Sequence, residues 1–168
     1  APSAPLERTQ DDQWDSTIAL NVTAPFVLCR ALLPGMVDQG WGRIVNIAST
    51  AGLEGYAYTA AYVASKHGLV GLTRALAAEL STRSPNCDVT SNALCPGFVD
   101  TDILAAAVQR MVKTTECSED EARNRLGSMN PGGKILSTED VAKAALALIE
   151  ENPGTTQGAA VVLDGASQ

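Results

Sequence analysis

Tyr62 and Lys66 stand four positions apart, and Ser49 closes the run Ile44-Val45-Asn46-Ile47-Ala48 thirteen positions before the tyrosine. Residues at i and i+4 share one face of a helix, so a phenol and an ammonium can occupy one pocket. A phenol is a poor acid or base at neutral pH unless a neighbouring cation stabilises its anion, and the lysine supplies that cation. A serine arriving from an adjoining strand can hydrogen-bond the same substrate oxygen. The three types together suit proton transfer to or from a carbonyl or hydroxyl oxygen. Each also has a plainer reading, as a helical aromatic, a solvated lysine and a serine at a strand end.

Positioning such a set requires a helix beside a strand, and the surrounding sequence supplies both. Apolar residues Ile18, Val22, Phe26, Leu33 and Val37 recur at helical spacing between Asp11 and Gln39, with Asp11 or Asp12 as cap and Gly40 as stop. Pro25 interrupts this helix. It has no N–H to give the carbonyl of Asn21, four residues earlier, which predicts a kink and a carbonyl open to another donor.

Arg43 to Ala48 reads as a short buried strand and Thr50 to Tyr58 as a loop. Ala60 to Ser81 is helical, and its Gly68 and Gly71 predict close packing against another backbone, since glycine in a helix costs about 1 kcal/mol against alanine. Cys87 to Cys95 is a second strand, stopped by Pro96-Gly97. Two short helices follow, Asp102 to Met111 and Ser118 to Leu126. Ser137-Thr138-Glu139-Asp140 opens a helix running to Glu151 and ended by Asn152-Pro153-Gly154; Ala159 to Leu163 is a third strand. Strands alternating with long helices indicate an α/β fold of parallel βαβ units. Residues 1–168 read as one domain, with no repeat and no linker.

The composition is that of a globular protein, 45% hydrophobic and 18% charged, and a net charge of −7 argues against nucleic acid or an anionic membrane as partner. No apolar stretch approaches the ~20 residues of a membrane span. Cys29, Cys87, Cys95 and Cys117 form no C-x-x-C pair and have His67 as their one histidine, which argues against a metal site. Cys29 and Cys95 lie in apolar runs as small buried hydrophobes. Reduced thiols fit a cytoplasmic protein. The opening Ala1-Pro2-Ser3-Ala4-Pro5 has neither basic segment nor apolar core, so it is no secretory signal; without an initiator methionine, it reads as a processed product or a piece of something longer.

Asn21, Ser49, Tyr62 and Lys66 resemble the catalytic set of the short-chain dehydrogenase/reductases. Pro96-Gly97-Phe98-Val99-Asp100-Thr101 resembles the P-G-x-V-x-T segment that this family sets against the nicotinamide end of its cofactor. Ala64-Ser65-Lys66 and Leu163-Asp164-Gly165 add to the likeness, which runs from Trp14 to Gly165. The resemblance implies that Tyr62 exchanges a proton with the substrate oxygen and that Ser49 positions that oxygen. Lys66 would lower the tyrosine pKa and bind the nicotinamide ribose, while the carbonyl of Asn21 would hold a water linked to the lysine. Pro96, Gly97, Val99 and Thr101 would meet the nicotinamide of NAD or NADP; Thr101 could equally cap the helix beginning at Asp102. Asn46 and Asn92 read as side chains that satisfy backbone groups near strands.

The same resemblance implies the C-terminal portion of a Rossmann-type doubly wound parallel sheet, three strands with flanking helices. Family members begin with a strand and a T-G-x-x-x-G-x-G turn that seats the pyrophosphate at a helix N-terminus, and these 168 residues contain no such turn. The N-terminal dinucleotide-binding half is therefore expected to be absent, leaving one side of the strand at Ile44 to Ile47 unpaired. The choice between NAD and NADP is not written here.

Two functions follow. One is an oxidoreductase that moves a hydride between a nicotinamide and a ketone or secondary alcohol. The segments around Ser49 and Lys66 resemble 3-hydroxybutyrate dehydrogenases and acyl or polyketide ketoreductases, so the substrate would be a 3-oxoacyl or 3-hydroxyacyl compound. Residues 102–136 would form its lid, with Leu104, Val108, Met111, Val112 and Met129 facing an apolar substrate or one another. A homo-oligomer built on the helices of Asn21 and Tyr62 is the family's expectation. The other is a catalytically incompetent fragment that serves only in assembly.

Overall fold

A computed structural model describes residues 3–84, 86–150 and 156–163. Three parallel strands, β1 (Trp41–Ile47), β2 (Asp88–Pro96) and β3 (Ala160–Leu163), form a sheet in the order β1-β2-β3. β2 lies in the centre, and from Val89 to Pro96 every residue is buried, as expected of a parallel strand covered on both faces. β1 is paired on one side only among the described residues, in line with the unpaired side expected at Ile44 to Ile47, and it is only partly buried, with Ile47 46% exposed, where its composition suggests a buried strand. The predicted ends Asn152-Pro153-Gly154 and Asp164-Gly165 lie outside the described residues.

The first helical stretch is continuous. α1 (Asp11–Ile18) runs into a π-helical turn at Ala19–Thr23 and then into α2 (Ala24–Gln39). Pro25 therefore does not break the helix. The missing N–H and the bulk of its ring against the carbonyl four residues back are absorbed by widening the turn, and Ala24 donates to Ala19 five residues earlier. Gln10, not an aspartate, is the N-cap residue, and Gly40 ends the stretch at φ +74° with its N–H on Met36 and Val37.

Asp11–Gln39 is also long and apolar enough, by length and composition, to cross a membrane, with mean hydropathy 1.5 over its most apolar window. That departs from the sequence expectation, because Arg30 is the one charge between Ser16 and Val37. Its outer face carries the exposed Leu20, Leu28 and Leu32.

α3 (Ala60–Arg83) packs on β2 and against α1 and the π-turn, while α6 (Thr138–Glu150) crosses β1 and β2. Ala48, Leu69, Val70, Ala93 and Cys95 form the core between sheet and α3. Buried Asn46 donates to Thr73, a side chain on α3 rather than a backbone group, and Thr73 donates on to the Leu69 carbonyl. Asn92 does serve the backbone, bonding Thr156 and Ala159. At Gly68 an added Cβ would come within 3.2 Å of the Val22 side chain, and at Gly71 it would meet nothing within 4 Å, so neither glycine marks a backbone crossing. Gly52 does: a Cβ there would lie 2.8 Å from the Lys66 carbonyl.

α4 (Asp102–Thr115) and α5 (Glu119–Ser128) form a lobe with its own core of Leu104, Val108, Ala122 and Leu126. Ser118 and Glu121 cap α5 reciprocally.

Candidate active site

Ser49 sits just past β1 because Ala48 extends the ladder, its N–H on the Leu94 carbonyl at 2.7 Å. The Ser49 backbone is extended, and its Oγ accepts the Ala51 N–H at 3.1 Å, opening the 3₁₀ turn Thr50–Gly52. Tyr62 and Lys66 come from the first turns of α3 and face the same space. They border an apolar cavity of about 450 Å³, walled also by Pro96, Gly97, Phe98, Val99 and Thr101 from the segment after β2. Ile103, Leu104, Ala107 and Arg110 of α4 and Val141 of α6 also line it, as does Tyr56 from the loop before α3.

The cavity thus gathers every predicted site residue except Asn21. Asn21 lies in the π-turn, and its side-chain Nδ2 donates to Ser65 Oγ at 3.0 Å; Ser65, fully buried, donates in turn to the Tyr62 carbonyl at 2.8 Å. The asparagine is tied to the backbone of the Tyr62–Lys66 turn through a side chain, a link that periodicity could not reveal.

Ser49 hydrogen-bonds the Tyr62 phenol and pulls its pKa down, but the larger effect is burial, which pushes the phenol above its ordinary value. Burial likewise holds the Lys66 ammonium below the usual lysine range. Lys66 Nζ lies 5.7 Å from the Tyr62 ring centroid and donates to the Ile47 carbonyl at 2.9 Å.

Thr101 does not cap α4 with its side chain; the hydroxyl donates weakly to the Val99 carbonyl at 3.3 Å and lines the cavity. Of the predicted lid residues, Leu104 lines the cavity, Val108, Met111 and Val112 pack within the lobe, and Met129 is exposed. Sequence reading missed Arg110, a cation at the cavity, whose helical spacing of three from Ala107 was the available signal. His67 bonds the Val63 carbonyl and lies outside the cavity. Cys29 and Cys95 are buried, and the four cysteines are free. Among the described residues no cluster of metal-ligating side chains occurs.

The sequence pattern of short chain dehydrogenases matches residues 1–113, and the chain belongs to that family. It is 35% identical over 164 residues to a D-beta-hydroxybutyrate dehydrogenase of Rhizobium meliloti, covering 95% of this chain and 62% of the relative. A putative ketoacyl reductase of Streptomyces coelicolor is 38% identical over 156 residues, 92% of this chain and 58% of the relative. Among solved structures, actinorhodin polyketide ketoreductase with NADPH superposes with a TM-score of 0.86 at 34% identity, over 97% of this chain and 62% of its own. The chain thus spans about three-fifths of the length of the relatives it matches. The parallel sheet with flanking helices is the Rossmann-type arrangement of these neighbours.

Proposed function

We propose that this chain carries the proton-transfer site and the nicotinamide end of an NAD(P)-dependent oxidoreductase that interconverts a ketone and a secondary alcohol. The observation that carries the reading is the meeting of Ser49, Tyr62 and Lys66 at one apolar cavity beside Pro96 and Gly97. The donors there fit a nicotinamide nucleoside. Lys66 spends one N–H on the Ile47 carbonyl and has two more for ribose hydroxyls, and the Thr101 hydroxyl faces the same space. Bound NAD or NADP would supply or accept the hydride.

Tyr62, kept protonated by burial, gives its proton to the carbonyl oxygen in reduction and regains it from the alcohol in oxidation. Ser49 hydrogen-bonds that oxygen and stabilises charge developing on it. Lys66, moving from the Ile47 carbonyl toward the phenol and ribose, brings the positive charge that eases the return of the proton. Asn21 holds the turn that presents both side chains, through Ser65.

The apolar walls supplied by α4 fit a 3-oxoacyl or 3-hydroxyacyl substrate, the chemistry named for the hydroxybutyrate and ketoacyl relatives. The exposed apolar face of Asp11–Gln39 favours a homo-oligomer, and the free cysteines fit a reducing, cytoplasmic setting. The test is oxidation of NADH and NADPH by the protein with a 3-oxoacyl thioester. Tyr62→Phe is expected to lower turnover by about 10²- to 10⁴-fold; unchanged turnover would sink the proposed role. Joined to a dinucleotide-binding N-terminal half, a protein that still reduces no carbonyl compound with either cofactor would instead support the assembly reading.

A further inference from the structure

The segment that walls the cavity after β2 is bonded less to the sheet than to the chain returning from the α4–α5 lobe. Asn130, 4% exposed, takes both backbone groups of Phe98 with one side chain. Its Oδ1 accepts the Phe98 N–H at 2.6 Å, and its Nδ2 donates to the Phe98 carbonyl at 2.9 Å. The same Nδ2 donates to the Lys134 carbonyl at 2.7 Å. The pairing fixes the amide's orientation, since a flipped amide would set donor against donor and acceptor against acceptor.

Strand-like bonds continue it, from Leu136 N–H to the Phe98 carbonyl at 3.0 Å and from Asp100 N–H to the Leu136 carbonyl at 2.9 Å. Gly97 fits this clamp. A Cβ there would stand 2.1 Å from Asn130 Oδ1, a separation no side chain tolerates, and the amide, held by three bonds, cannot swing away. Both ends of the lobe therefore meet at one buried amide, directly behind the wall formed by Pro96, Gly97 and Phe98.

We infer that Asn130 is a positioning residue: it sets the height of the Pro96-Gly97-Phe98 wall in the cavity and thereby couples the base of the lobe to the place where a nicotinamide would lie. The role of the wall rests on the function proposed above; the clamp itself does not. The amide touches neither substrate nor reacting atoms and acts through Phe98 and Gly97.

The test follows hydrogen exchange of the full chain without cofactor, together with turnover. Asn130→Ala is expected to speed exchange across residues 97–100 by about tenfold or more while the β2 amides keep their protection, because the Phe98 N–H loses its acceptor and the Phe98 carbonyl keeps the Leu136 N–H alone. Gly97→Ala produces the same opening in the native background and adds little in the Asn130→Ala background, a non-additivity that a general loss of packing does not give. Asn130→Asp keeps the shape and the acceptor but sets a carboxylate against two carbonyls, and it opens the same residues if the alanine variant fails to fold.

In turnover, Asn130→Ala raises KM for the nicotinamide cofactor more than it lowers kcat. Unchanged exchange at 97–100 in both Asn130 variants, equal effects of Gly97→Ala in the two backgrounds, or loss of β2 protection in both variants would overturn the inference. A native chain without carbonyl-reducing activity would contradict the functional reading alone, and the exchange results still decide the clamp.

Discussion

The cavity wall that carries Ser49, Tyr62 and Lys66 belongs to the sheet core, where α3 packs on β2 through Leu69, Val70, Ala93 and Cys95. The wall with Ile103, Leu104 and Ala107 belongs to a separate cluster closed by Leu104, Val108, Ala122 and Leu126. The first wall holds the polar groups proposed to exchange protons, beside the strand ladder and a short turn. The second is mainly apolar, with Arg110 as its cation, and rests on a lobe pinned at its base. On the proposed reading, proton transfer would sit on the wall built into the sheet core and substrate shape on the wall built from the separate lobe. This division predicts that damage to the lobe changes substrate affinity, whereas damage beside α3 changes turnover.

The largest test of that division is Leu104→Ala. Leu104 is 1% exposed, and its truncation should cost about 2–4 kcal/mol of lobe stability. Hydrogen exchange should rise across α4 and α5 and stay low in β2; a global loss of protection would merge the two regions into one cooperative unit. Next is Gly52→Ala, on the other side of the comparison. Its new Cβ meets the Lys66 carbonyl and the Val70 side chain, 3.0 Å away, and should cost about 1–3 kcal/mol in thermal unfolding. It should also lower kcat with little change in substrate KM. The smallest effect belongs to Arg123→Ala. The ion pair of Arg123 with Asp100 at 3.0 Å joins α5 to the segment after β2 but lies half in water. Its loss should cost less than about 1 kcal/mol and fade at high salt.

The division was only partly legible in the sequence. The strands and the helices of the sheet core follow from hydrophobic period and turn residues, which are local properties, whereas the meeting of Ser49 with Tyr62 and Lys66 is implied by the family resemblance of the set. Pro25 announced a disturbance at Asn21, but not that a π-turn at Ala19–Thr23 would absorb it. Burial, which raises the tyrosine's pKa, and the Ile47 carbonyl that holds the lysine are not written in the spacing, which shows only that a lysine can reach a phenol. Asn130, within Asn130-Pro131-Gly132-Gly133, looks like turn chemistry. Its partner Phe98 is 32 residues away, and nothing local marks the pair.

The central claim is that the Tyr62 phenol moves the proton, and the pH dependence of alcohol oxidation tests it most directly. Oxidation needs the deprotonated phenol, so its rate should climb as pH rises toward the elevated Tyr62 titration; reduction needs the phenol and should fall over the same interval. Ser49→Ala removes the hydrogen bond that draws the phenol down and should move this alkaline limb to higher pH. Tyr62→Phe should abolish the limb along with nearly all turnover. A Tyr62→Phe protein that keeps the native rate and the native alkaline limb would contradict the account.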